Sequence, residues 1–224
     1  SASGVITLTD VTFDSNTALL NGGGLSNAGS TASVSRSTFS DNDATSGSGG
    51  AIYNTAANGL DLVNTTLSGN QADKGAAIFT EGHIDITNAT IVKNTDSSAV
   101  YALTSLGTVN LKNTILVGNT SGNANVLLNS LGYNIEDGST AFTANIGDQQ
   151  NATQFSSTLR PLANNGGLTA THALLSGSTA INSGTVDAAP TVDQRNILRD
   201  TNPDIGAYEF VSSNGPVAIW KTYG

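Results

Sequence analysis

The chain contains no cysteine, and only 8 of its 224 residues are Lys or Arg. Without cysteine, disulfide frameworks, thiolate metal sites and thiol nucleophiles are excluded. The few basic residues are scattered through a chain of net charge −9, so nucleic acid is a poor partner, because phosphate binding needs clustered Lys and Arg. Charged residues make up 11%, about half the usual share for soluble proteins. Unbroken apolar runs extend only a few residues, which excludes a membrane-spanning helix. No signal-peptide pattern is visible, and the chain opens at Ser1 directly in a strand-like pattern, pointing to a processed mature form or an excised fragment. Gly, Ser, Thr, Asn and Ala fill the space left by charge. Regularly spaced Val, Ile, Leu and Thr argue that these small residues serve ordered turns and ladders rather than disorder.

That spacing is an internal repeat. Five segments align: DVTFDSN (10–16), RSTFSDN (36–42), NTTLSGN (64–70), NATIVKN (88–94) and NTILVGN (113–119). Their starts are 26, 28, 24 and 25 residues apart. A period near 25 with drifting length fits a β-solenoid whose loops vary. Ahead of each motif an alternating pair points inward: Ile6/Leu8, Ala32/Val34, Leu60/Leu62, Ile84/Ile86 and Val109/Leu111. Inside it the inward pairs are Val11/Phe13, Ser37/Phe39, Thr65/Leu67, Ala89/Ile91 and Thr114/Leu116. The parity slips between the two runs, so a bend must lie there, at Asp10, Arg36, Asn64, Asn88 and Asn113. Asn and Asp suit the left-handed conformations of such bends. A second polar column, Asn16, Asn42, Asn70, Asn94 and Asn119, can form an amide ladder along the axis. A third strand with Leu25, Ile52, Ile78, Val100 and Val126 inward completes each coil, preceded by small residues that permit tight turns. The expected fold is therefore all-β: a right-handed parallel β-helix with three short strands per coil, the hand following from the general rule for parallel crossovers.

The period ends near Glu136. Three domains of organisation are expected: coils over 1–136, a C-terminal coil and irregular cap over 137–210, and a tail over 211–224. The cap would cover an otherwise open sheet edge, with Leu162, Leu168, Leu174, Leu175, Ala180 and Ile181 over the core. The run LRPLANNGGLTATHALLSGSTAINSG, then DQRNILRD, then PDIGAYEF, resembles the end of bacterial surface proteins of the right-handed β-helix, choice-of-anchor Q type. The usual DQRG appears here with Asn196 in place of the glycine. The resemblance covers residues 159–210 and implies export and surface attachment, with no catalytic residue set.

Several side-chain groups are candidates for chemistry. Arg160, Arg195 and Arg199 lie among Asp187, Asp193, Asp200, Asp204 and Glu209, which reads as salt bridges locking the cap or, alternatively, as a Ca²⁺ site of Asp193, Asp200 and Asp204. No cofactor other than Ca²⁺ is expected. Asp61 and Asp85 occupy equivalent outward positions of successive coils, about 5 Å apart when stacked. With His83 and Lys112 nearby they form the best candidate for polysaccharide cleavage, against the plainer reading of two solvated aspartates. Thr12, Thr38, Thr66 and Thr90 form an outward column of the kind ice-binding solenoids use, although its partner column is charged and mixed. His172 reads as a packed polar residue. No nucleophile-elbow or phosphate-loop motif is present.

The expected role is an extracellular structural or adhesive element at a cell surface rather than an enzyme, with polysaccharide binding or cleavage as the alternative. Partners would be glycans or further copies of the chain. Val217, Ile219 and Lys221 alternate with Ala218, Trp220 and Thr222 as a strand would, so the tail could support head-to-tail assembly into a filament by strand addition.

Overall fold

A computed structural model describes residues 4–55, 59–96, 101–120 and 122–212. The chain winds as a parallel β-solenoid whose strands assemble into four ladders running along the axis. Sheet A contains Val5–Thr9, Thr31–Ser35, Leu60–Val63, His83–Thr87, Thr108–Lys112 and Asn129–Ser130. Sheet B contains Thr12–Asp14, Thr38–Ser40, Thr66–Ser68, Thr90–Val92, Ile115–Val117 and Ile135–Glu136. Sheet D contains Leu25–Asn27, Ile52–Asn54, Ile78–Thr80 and Leu103–Ser105. These are the three strands expected of each coil. A further short ladder, sheet C, follows the Asn corner with Thr17–Ala18, Asp43–Ser48, Gln71–Lys74 and Thr95–Asp96.

Every described pairing between these strands is parallel, and equivalent residues meet: Ile6 with Ala32, Leu67 with Ile91, Ile52 with Ile78. Phe39, Leu67, Ile91 and Leu116 form one buried pile, and Phe13 stacks on Phe39 with ring centroids 4.7 Å apart. No coil could bury these residues alone, so the core exists only between neighbours. The bends lie where the parity slips: Asp10, Arg36, Asn64, Asn88 and Asn113 all have positive φ, between 46° and 58°. At the turn into sheet D, Gly49 has φ +73°, and a Cβ there would stand 2.3 Å from the Ile52 carbonyl oxygen. Gly22 and Gly75 repeat that conformation in the neighbouring coils.

The inward column of sheet D departs from expectation in its last two members. Leu103, not Val100, pairs with Ile78, and Ala124 then bridges to Leu103. Val100 lies outside the described residues, and Val126 is 42% exposed. The fifth coil cuts its corner short after Asn119, which brings Ala124 inward two residues before Val126.

The C-terminal region divides in two. Residues 137–158 close the end of the solenoid: Phe142 bridges to Leu128, Gln149 bridges to Ile135, and Ala141 and Phe142 are buried in the core. Residues 159–210 instead run back along the flank as a strap over the outer face of sheet B. Leu174 and Ala180 join Val92, Ile115, Val117, Ile135, Phe155 and Ile205 in a second apolar cluster there. Leu162, Leu175 and Ile181 are only half-buried, and Leu168 is exposed, because the strap covers a sheet face instead of the open end of the core.

Candidate functional site

Three features of the solenoid carry polar chemistry: the amide ladder, the strap and the outer face of sheet A. The ladder follows from the repeat. A residue of positive φ (Ser15, Asp41, Gly69, Lys93 or Gly118) turns each coil, and the next residue, Asn, points its carboxamide into the corner. The Nδ2 group of Asn16 donates to Oδ1 of Asn42 at 2.8 Å, Asn42 to Asn70 at 2.9 Å, Asn70 to Asn94 at 2.9 Å and Asn94 to Asn119 at 3.0 Å. Each receiving Oδ1 also accepts the backbone N–H of the preceding coil's Asn. The ladder is directional. Asn119 donates to Asn123, and Asn123 Nδ2 donates to the Asp137 carboxylate at 2.9 Å, where the second carboxylate oxygen takes the Gly118 N–H. The donors at the C-terminal end are thus used up. Head-to-tail growth would need free donors at that end, and the tail strand proposed for it lies, beyond Ser212, outside the described residues.

The strap is held by the outward side chains of the bend. Asn64 Nδ2 donates to the Val192 carbonyl at 2.7 Å, and Asn113 Nδ2 to that of Thr185 at 2.8 Å. Asn88 Nδ2 is shared between the carbonyls of Asp204 and Gly206. Gln194 inserts its buried amide between Thr66 (2.7 Å), Thr38 (2.8 Å) and Thr169 (2.9 Å). The threonine column is therefore covered over most of its length: Thr38, Thr66 and Thr90 are buried, so it does not form the exposed flat face that ice binding requires. Gly206 passes so close that a Cβ would meet Ile115 Cδ1 at 2.5 Å. His172 is enclosed as expected. Its Nδ1–H donates to the Arg160 carbonyl at 2.7 Å, leaving Nε2 to accept from the Ser68 hydroxyl at 2.9 Å. Burial and the nearby Lys93 hold its pKa below the ordinary histidine value, although the Arg160 carbonyl opposes them.

Asp193, Asp200 and Asp204 do not come together as one ligand set. Asp193 grips Arg195 at 2.7 Å and accepts the N–H groups of Arg195, Ile197 and Glu209. Asp204 accepts the N–H of Asn182 at 2.8 Å and that of Phe210. Asp200 accepts the Asn202 N–H at the surface. Among the described residues no three acidic or histidine side chains are grouped to hold a metal. Asp193 instead serves Arg195, and Glu209 serves Arg199. Arg199 pairs with Glu209 at 2.9 Å and donates to the carbonyls of Asp204 and Gly206 and to Asn64 Oδ1. Arg195 also lies 3.6 Å above the Tyr208 ring. The DQR and AYEF segments are thereby the two halves of one lock.

Burial pushes the Asp204 carboxyl up to about 7, with the Glu209 charge acting in the same direction, against two backbone N–H bonds and Arg199. Glu209 is also raised, chiefly by burial. A carboxyl raised on folding stabilises the fold below its unfolded pKa and loses that contribution as pH rises through its folded pKa. His172 acts oppositely, weakening the fold below the ordinary histidine pKa. The Asp204 contribution to the unfolding free energy should therefore fall between about pH 4 and pH 7, by on the order of 4 kcal/mol, with His172 offsetting part of it. Urea titrations across that range check this, and Asp204→Asn should flatten the slope.

Sheet A keeps its outer face open. Asp61 and Asp85 stand opposite one another in register. Asp85 faces His83 Nε2 at 3.0 Å and accepts from Asn110 Nδ2 at 2.7 Å, and Asn129 continues the row onto Asn110 at 2.7 Å. Burial and the Asp85 charge raise the Asp61 pKa, with His83 opposing. Lys112 is drawn away from this row into an ion pair with Asp187.

Residues 10–28 and 36–55 match the Chlamydia polymorphic membrane protein repeat. The matched stretches run from the bend through the Asn corner and into sheet D, so the first two coils are similar to that repeat. No curated protein and no solved structure gives a significant match to the chain.

Proposed function

We propose that the chain is a structural or adhesive β-solenoid displayed at a cell surface. One observation carries the reading. The ladder and the strap lock are committed to internal partners, while sheet A carries on its outer face one continuous in-register column, Thr7, Ser33, Asp61, Asp85, Asn110 and Asn129, repeating at about 4.8 Å. Such a face offers many weak, evenly spaced contacts, as adhesion needs. The likeness of the first two coils to a repeat named for membrane proteins supports the same reading. The test is display. An antibody to the chain should label intact producing cells without permeabilisation, and labelling only after permeabilisation overturns the proposal.

The in-register Asp61/Asp85 pair beside His83 favours polysaccharide recognition as a second reading. Wild-type protein should give discrete signals on a glycan array. Asp61→Asn combined with Asp85→Asn should weaken them about tenfold or more, equivalent to roughly 1.4 kcal/mol. Unchanged signals would exclude this pair.

A further inference from the structure

The outer face of sheet A is walled on one side. Beside the column that carries Asp61, Asp85, Asn110 and Asn129 runs a second outward column, Val63, Thr87 and Lys112, which Leu131 continues in the next coil. The strap comes down on this second column. Its turn at 186–189, closed by the Ala189 N–H on the Val186 carbonyl, is tied to the sheet by the ion pair of Asp187 with Lys112. Between the turn and the first column lies a cavity of about 320 Å³, lined by Asp85, Thr87, Asn110, Lys112, Leu131 and Ala188. The polar groups along this groove are unevenly satisfied. Asn129 donates to Asn110 and Asn110 to Asp85, each at 2.7 Å, so the amide donors are spent at Asp85. Asp61, one rung further, has no hydrogen-bond or ion-pair partner among the described residues. The Lys112 ammonium is taken by Asp187, and Asp85 faces only His83. Asp61 and Asp85 therefore stand in register about 4.8 Å apart, and among the described residues no lysine or arginine pairs with either.

We propose that this groove binds a glycan built of amino sugars, with one ring in the cavity beside Ala188 and the chain running along the column so that a protonated amine lies between Asp85 and Asp61. The inference rests on the glycan reading of sheet A and names the sugar class. The cavity is of a size and mixture that suit one ring. Ring hydroxyls donate to Asp85 and exchange hydrogen bonds with Asn110 and Thr87, while the apolar C–H face packs on Leu131 and Ala188. Charge then decides among sugars. A uronate would bring a third carboxylate beside two that already repel, with the nearby lysine engaged elsewhere. A neutral sugar would leave the repulsion as it is. An ammonium removes it, because an opposite charge within a few ångströms favours the ionised form of both carboxyls.

The test is calorimetric titration of the full chain with oligosaccharides of equal length: oligoglucosamine, its N-acetylated form and oligogalacturonate, with oligolysine as a charge control. Oligoglucosamine should bind about tenfold or more tighter than the N-acetylated oligomer, and oligogalacturonate should not bind. Asp61→Asn should remove the preference for the amine and leave binding of the N-acetylated oligomer unchanged. Leu131→Arg, a change at an exposed position that places a guanidinium in the cavity, should abolish binding with the circular dichroism spectrum unaltered. Equal or tighter binding of the N-acetylated oligomer or of oligogalacturonate overturns the choice of sugar and leaves the glycan reading standing. Oligolysine binding as tightly as oligoglucosamine, or undiminished binding to Leu131→Arg, overturns the proposal as well. Absence of binding by every oligosaccharide overturns both the proposal and the glycan reading.

Discussion

Replacing Asn70 by Ala should lower the unfolding free energy by about 3–6 kcal/mol, whereas Asn16→Ala should change it by less than about 1 kcal/mol. The two residues have the same place in the repeat and differ in burial. Asn70 is fully buried, and its Oδ1 accepts both the backbone N–H of Asn42 and its side-chain amide. Its Nδ2 donates to the Phe39 carbonyl and to Asn94. Truncation strands the Asn42 N–H and one Asn42 amide hydrogen where water cannot reach them, and takes from the Phe39 carbonyl its side-chain donor. Each such group costs about 1–3 kcal/mol. At Asn16 the carboxamide is exposed, so water replaces what is lost. Asn70→Asp should be at least as damaging as Ala: the carboxylate keeps the acceptors but turns negative charge towards Asn94 Oδ1 and the Phe39 carbonyl. Urea denaturation followed by circular dichroism measures all three. Equal losses at Asn16 and Asn70 would mean that the ladder is not a buried structural element.

The solenoid was legible because its signals are local and repeated. The parity slip at Asp10, Arg36, Asn64, Asn88 and Asn113 marks a bend that steric rules assign to Asn-like residues, and the backbone adopts it at all five. The sheet D register was less legible. Leu25, Ile52 and Ile78 follow their ladder Asn by 9, 10 and 8 residues, and Leu103 follows Asn94 by 9. Counting from the Asn column selects Leu103, whereas aligning apolar residues selects Val100. Ala124 escapes both routes, because it follows Asn119 by only 5 residues, the corner of the fifth coil being shorter.

The path of the strap was harder to read, since it depends on contacts more than 100 residues apart in the chain. One signal was available. The sheet B strands Thr38–Ser40 and Thr66–Ser68 present hydroxyls outward, but Thr90–Val92 and Ile115–Val117 put Val92, Ile115 and Val117 there. Apolar residues on an outer face call for a cover, and the strap matches the gradient. It lays Gln194, Thr169 and His172 over the hydroxyl-bearing coils and Leu174, Ala180 and Ile205 over the apolar ones. The acidic residues of the strap read as metal ligands in the sequence because composition alone does not reveal partners. Asp193 and Glu209 prove to be shared between backbone N–H groups and the guanidinium groups of Arg195 and Arg199, Asp204 accepts two backbone N–H groups, and Asp200 accepts one at the surface.

Removal of one such guanidinium should release the strap. Arg199→Met should destabilise the protein by about 3–5 kcal/mol, the usual effect of stripping a buried ion of its partner. Glu209 would keep a buried charge whose pKa burial already raises, Asn64 Oδ1 would lose the Arg199 donor, and the carbonyls of Asp204 and Gly206 would keep only the amide of Asn88 that they share. The damage should be local first. The strap is fastened by side chains and short bridges, while the coils are joined by continuous ladders. Limited proteolysis should therefore cut Arg199→Met within residues 159–210 under conditions that leave the wild type intact, and the β-sheet circular dichroism signal of the coils should persist. Adding Glu209→Gln removes the stranded charge and should recover part of the loss, so the two changes together should cost less than their sum. A strap as protease-resistant in Arg199→Met as in the wild type would show that the apolar cluster around Ile115 and Leu174 holds it unaided. Strictly additive losses would show that Arg199 and Glu209 act through separate contacts.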